Sequence, residues 1–101
     1  MSSLAGRANR GYMDIIYSIL ESSLQGALKT HIMFKCNLNS RQLQLYVQFL
    51  VDKGLLVRER APPSPKVEYR TSERGRQYME AYETLLQLVG SRHPVGIPVK
   101  R

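Results

Sequence analysis

The amino-acid sequence predicts a mainly helical α+β domain in which four helices carry one small β-hairpin, and three observations predict it. Apolar residues recur every three or four positions in four separate stretches, the period of an amphipathic helix. Two runs rich in β-formers or alternating in polarity, Leu55–Arg60 and Val67–Arg70, flank a loop with three prolines. Gly26, Asn37, Asn39, Gly54 and Gly90 punctuate these stretches where turns and helix ends need them.

From about Arg10 to Ser23, Tyr12, Ile15, Ile16, Ile19 and Leu20 fall on one side of a first helix. Asp14 lies in its first turns, where a negative charge suits the helix dipole. Ala27 and Leu28 are too few for a strand of their own but enough to add a short edge to a hairpin supplied from elsewhere. Thr30 is then placed to cap a helix of about two turns through His31 to Cys36, with Ile32, Met33 and Cys36 turned inward.

Asn37-Leu38-Asn39 makes the next turn, and Asn39 has the short polar side chain that caps a following helix. In that helix Leu43, Tyr46, Val47 and Leu50, with Val51 at the margin, form an apolar arc opposite Arg41, Gln44, Gln48 and Asp52. Gly54 follows where a left-handed residue ends it. Pro62, Pro63 and Pro65 exclude both a helix and a tight two-residue turn between the strands, so the hairpin tip is exposed and stiff. Thr71 is expected to open the last helix, whose seam of Gly75, Tyr78, Met79, Tyr82, Leu85, Leu86 and Val89 runs to Gly90.

The order helix, short edge, helix, helix, hairpin, helix is that of a winged helix-turn-helix with an additional C-terminal helix. Residues 10–90 form this domain; residues 1–9 are expected to be a flexible N-terminal arm and residues 91–101 a flexible basic tail.

Composition narrows the function. One hundred and one residues suit one domain of modest core, and no apolar run approaches the ~20 residues of a transmembrane helix. Fifteen Lys and Arg against eight Asp and Glu give a net charge of +7, a surface that attracts polyanions. Nucleic acid, acidic protein and an anionic membrane surface all qualify, and charge alone does not choose among them. Cys36 is the single cysteine, which excludes an intrachain disulfide and fits a small buried hydrophobe in a reducing compartment. Arg7, Asn9 and Arg10 interrupt any signal-peptide core, so a cytoplasmic, nucleoid-associated location is expected.

The outer face of the Asn39-capped helix carries Ser40, Arg41, Gln44 and Gln48, with Gln42 beside them. Arginine suits the paired acceptors of guanine and glutamine the acceptor and donor of adenine, in a major groove wide enough for a helix; an ordinary solvated face has the same look. The hairpin adds Arg58, Arg60, Lys66 and Arg70; Arg58 and Arg60 share parity and project to one side. Such a ribbon can follow phosphates or reach a minor groove, although charge and proline also protect an edge strand from aggregation. Lys29 and Thr30, at the start of the preceding helix, complete the candidate DNA-binding set. The surplus of the C-terminal seam, with Tyr78, Met79, Tyr82, Leu85, Leu86 and Val89 as its interface residues, is expected to pair two copies.

Catalysis finds little support. His31 and His93 are far apart, Cys36 is near only the first, and no orienting acid or second ligand pair accompanies them. A non-enzyme without cofactor or metal is expected.

The stretch KTHIMFKCNLNSRQLQLYVQFLVDKGLL, followed after the hairpin by YRTSERGRQYMEAYETL, closely resembles the archaeal winged helix-turn-helix proteins. The matching positions are Lys29, Thr30, Ile32, Met33, Asn37, Leu38, Leu43, Tyr46, Gly54, Leu55, Leu56, Tyr69, Thr71 and Gly75, and the likeness covers roughly residues 12–88. That family includes transcriptional regulators and small dimeric chromatin proteins of crenarchaea. The resemblance implies a helix for residues 40–53 in the major groove, a wing of residues 57–70 on the backbone or minor groove, and an antiparallel dimer through the terminal helices. Two features differ: the last helix is shorter than the rods of the chromatin members, and the proline-rich wing is longer. The alternative is a protein-interaction module of a transcription or replication assembly, to which the outward Leu45 and Phe49 point. RNA binding is a third option.

Overall fold

A computed structural model describes residues 11–60 and 62–89. The expected arm (1–9), tail (91–101) and His93 lie outside the described residues. The elements are α1 (Tyr12–Ser22), α2 (Lys29–Cys36), α3 (Ser40–Asp52), β1 (Leu56–Arg60), β2 (Val67–Thr71) and α4 (Glu73–Val89). The mainly helical α+β architecture, with a two-stranded antiparallel hairpin and a C-terminal helix, is the one the sequence predicts.

Ile16, Ile19 and Leu20 of α1 meet Ile32 and Cys36 of α2, Leu43, Val47 and Leu50 of α3, Leu56 and Tyr69 of the hairpin, and Met79 of α4. Ile19, Leu20, Ile32 and Leu50 have no exposed surface; burying each such side chain stabilises the fold by about 1.5–3 kcal/mol. Ala27 adds the expected short edge, exchanging backbone hydrogen bonds of 2.9 and 2.8 Å with Tyr69. Gly26, at φ 93°, turns the chain into that bridge.

Helix α3 is bounded as its sequence requires. Asn39 Oδ1 accepts from the Gln42 N–H at 2.8 Å and Gln42 Oε1 accepts from the Asn39 N–H at 3.0 Å, a reciprocal cap. Gly54, at φ 78°, takes the left-handed conformation past the other end.

Two expected helix starts are corrected. Residue Leu28, not Thr30, occupies the N-cap of α2, and no side chain caps that end. Thr30 lies in the first turn, exposed. Thr71 ends β2 instead of opening α4: it is 3 % exposed, its N–H donates to the Ser23 carbonyl at 3.0 Å, and its hydroxyl donates to the Leu20 carbonyl at 2.6 Å. Ser72 takes the capping role, accepting from the Gly75 N–H at 3.0 Å and donating to the Gly54 carbonyl at 2.6 Å. Thr71→Val keeps the shape of the buried residue and removes its hydroxyl bond, while the Leu20 carbonyl keeps the Ser23 N–H at 3.1 Å; it is expected to lower stability by about 0.5–1.5 kcal/mol in urea unfolding, with the m-value unchanged.

Polar ties join α4 to α1. The Tyr78 hydroxyl donates to the Met13 carbonyl at 2.9 Å, the Tyr17 hydroxyl to the Glu83 carboxylate at 2.5 Å, and the Tyr82 hydroxyl to the Asp14 carboxylate. The Tyr17 and Tyr82 rings stack with centroids 4.6 Å apart. Burial, helped by Tyr82, Asp14 and Tyr12, pushes the Tyr78 hydroxyl from its ordinary value of 10 to about 12. The neutral form is thus favoured by folding; its contribution is complete below pH 10 and fades as pH climbs from 10 towards 12.

Candidate nucleic-acid interface

Strand register sorts the hairpin's charges. Leu56 opposes Thr71, Arg58 opposes Tyr69 and Arg60 opposes Val67, so these pairs share the face turned towards the helices. The other face holds Val57 opposite Arg70 and Glu59 opposite Glu68. Arg58 and Arg60 therefore project together, as their parity predicts, and Arg70 projects the opposite way. Its Nε lies 3.1 Å from Glu59 Oε1, with Glu68 on the same face, so the back of the wing sets two carboxylates against one guanidinium. Arg70, which the sequence reading places in the DNA-binding set, thus stands on the face opposite Arg58 and Arg60.

Three elements converge on one cleft. Lys29 from the first turn of α2, Gln44 and Gln48 from α3 and Arg58 from β1 form its polar wall, over a floor of Val47, Val51 and Tyr69. The uncapped start of α2 contributes a partial positive charge beside Lys29. The carboxylate at this face is Asp52, whose Oδ1 accepts from Gln48 Nε2 at 3.0 Å. Ser40 and Arg41 lie on the same arc of α3, one and two turns before Gln44 and Gln48, and both are exposed. Gln42 points away from that arc, and its side chain is engaged in the cap with Asn39. Lys66 is exposed at the hairpin tip, where its N–H donates to Ser64 Oγ at 3.1 Å.

Chemically, this is a concave, cation-lined edge between a helix and a ribbon, with amide groups at its centre. Guanidinium and ammonium groups can hold phosphates while the glutamine amides present paired donor and acceptor atoms. The floor residues Val47, Val51 and Tyr69 were not readable as parts of a site: at helical or strand spacing they look like core, and only the packing of the hairpin on α3 brings them beneath the cations.

The C-terminal seam divides in two. Gly75, Met79 and Tyr82 are buried within the domain and Tyr78 is half-buried, bonded to α1, so these positions serve the protomer itself. Leu85 and Val89 are exposed and Leu86 half-exposed; Leu88, 76 % exposed, belongs with them although the periodicity did not include it.

His31 is exposed and Cys36 buried, its sulfur 3.9 Å from Ser22 Oγ. Among the described residues no group of three or more His, Cys, Asp or Glu could hold a metal ion, and no helix is long and apolar enough to cross a membrane.

Comparison with known proteins agrees with this architecture. The crystal structure of Sso10a-2, a DNA-binding protein from Sulfolobus solfataricus, superposes with a TM-score of 0.70 at 22 % identity, over 80 % of this chain and 83 % of that one. An uncharacterized protein of Methanocaldococcus jannaschii is 25 % identical over 87 residues, 85 % of this chain and 84 % of its own length. Both come from archaea, where the sequence resemblance pointed. The model of the winged helix-turn-helix family matches residues 9–89, and the chain belongs to that family.

Proposed function

We propose that the chain is a dimeric DNA-binding protein, a transcriptional regulator or a chromatin-associated protein of the nucleoid. Helix α3 enters the major groove, with Ser40, Arg41, Gln44 and Gln48 towards the bases, and the Arg58, Arg60 and Lys66 side of the wing follows the backbone or minor groove. Lys29, Thr30 and the open start of α2 hold a flanking phosphate. The observation that carries this reading is the convergence of Lys29, Gln44, Gln48 and Arg58 from three elements on one cleft. Membership of the family and the fold shared with a DNA-binding protein support it. The exposed end of α4, through Leu85, Leu86, Leu88 and Val89, joins two copies and so presents two α3 helices to a duplex, ideally ~34 Å apart.

Titration with random duplex at several salt concentrations tests the first half. With some five phosphates neutralised, log K falls against log salt with a slope of about −4 to −5; a flat dependence, or no binding at about 10⁻⁴ M at physiological salt, would defeat the reading. Arg41→Ala is expected to relax base preference, whereas Lys66→Ala weakens all sequences alike. Sedimentation of Leu88→Glu tests the second half: the native chain is expected to run as a dimer and the variant as a monomer.

A further inference from the structure

An apolar cleft of about 540 Å³ opens between α1 and α3, away from the polar face, lined by Tyr12, Ile16, Leu45, Tyr46 and Phe49. Leu45 is 63 % exposed and Phe49 44 % exposed. Helix α3 already packs the core through Leu43, Val47 and Leu50, so these two side chains are surplus to folding. Their place in the chain gives them a charged frame. Arg41, Leu45, Phe49 and Lys53 follow one another at four-residue spacing and form a single ridge along α3, basic at both ends and apolar in the middle.

The ammonium of Lys53 lies 5.8 Å from the centroid of the Phe49 ring, so one cation rests directly beside the apolar wall. The carboxylates nearby in sequence have other partners: Asp14 on α1 accepts from Tyr82 and Asp52 on α3 from Gln48. Both keep their charge, but Asp14 is turned to α4 and Asp52 is held on the Gln48 side of α3, which leaves the cations Arg41 and Lys53 at the two ends of the ridge. A duplex offers Leu45 and Phe49 only scattered thymine methyls, and a second copy brings the same excess of fifteen basic over eight acidic residues.

We propose that this ridge and cleft receive an amphipathic helical segment of an acidic protein. Its apolar side chains, repeating every three to four residues, lie beside Leu45 and Phe49, and carboxylates near its two ends meet Arg41 and Lys53. The ridge is turned about 100° around α3 from Gln44 and Gln48, so the segment and a duplex occupy adjoining sides of one helix. Arg41 lies between them. The segment and the duplex compete for its guanidinium, which makes the partner a modulator of DNA affinity through one shared side chain.

The test uses the full chain and two synthetic amphipathic peptides with the same leucine pattern, one with glutamate and one with lysine at its ends, followed by fluorescence anisotropy. The glutamate peptide is expected to bind at least about tenfold more tightly than the lysine peptide. Leu45→Ser combined with Phe49→Ser is expected to abolish most of that binding, and Lys53→Glu to narrow the preference. All three residues are exposed, and thermal melts check that the variants fold. Equal affinity for the two peptides, no binding of either, or binding indifferent to the Leu45 and Phe49 substitutions would overturn the proposal. A native dimer that dissociates on Leu45→Ser would also overturn it, by giving the face to a second copy. Because no DNA is present, each of these results stands apart from the fate of the DNA-binding reading.

Discussion

Gly75→Ala is expected to destabilise the domain by about 3 kcal/mol or more, at the upper end of the range for overpacking, because the new methyl has nowhere to go. A Cβ at this position would stand 2.4 Å from the Leu55 carbonyl oxygen and 2.6 Å from Thr71 Cγ2. One obstacle is backbone and the other a buried residue already tied to Leu20, so neither yields by a rotamer change. For a domain of this size the melting temperature should fall by roughly 12–24 °C. A melt within a few degrees of the native one would show that α4 can lift off the hairpin at little cost. Gly75 is thus a packing glycine, required by the close approach of a helix to a strand end.

Lys29→Ala combined with Arg58→Ala is expected to weaken binding to random duplex by about 2–3 kcal/mol, roughly 30- to 150-fold, and to make the salt slope shallower by about 1.8, two phosphate contacts at ~0.9 each. Arg70→Ala is the matched control. It removes one of the two charges, from the same hairpin as Arg58, but from the face where Glu59 already meets it, and the proposed docking leaves its affinity and slope nearly unchanged. A loss from Arg70→Ala of about half that of the double substitution would mean that net charge, and not the cleft, governs binding. The comparison also separates positioning from attraction, since a purely long-range effect has no knowledge of strand parity.

The sequence was informative wherever the causes were local. The arc of Leu43, Tyr46, Val47 and Leu50, the reciprocal cap of Asn39 and Gln42, and Gly54 at positive φ mark α3 from end to end, and each depends only on near neighbours. The misreadings arise where two local solutions compete. Thr71 and Ser72 are adjacent and both suit an N-cap; the decision falls to Leu20 and Ser23, about fifty residues away, which bind the Thr71 hydroxyl and N–H and draw it into the strand. Thr30 loses the cap of α2 for a similar reason: the bridge at Ala27 sets the chain so that the helix starts two residues earlier than its polar side chain suggests.

The candidate face divides along the same line. Lys29, Gln44, Gln48 and Arg58 were nameable from residue type and parity, and they do come together. Arg70 was not separable from them, because the opposing residue across the hairpin is a matter of register, which depends on loop length. Likewise Met79 and Tyr82 have the spacing of a dimer seam, but one copy is enough to bury them.

The three tyrosine hydroxyls that fasten α4 to α1 have a mechanical meaning. Sliding contacts between greasy helices would tolerate a swivel; directed bonds from Tyr17, Tyr78 and Tyr82 to fixed acceptors do not. Whatever grips the protruding end of α4 therefore turns α1 with it, as a handle turns a key.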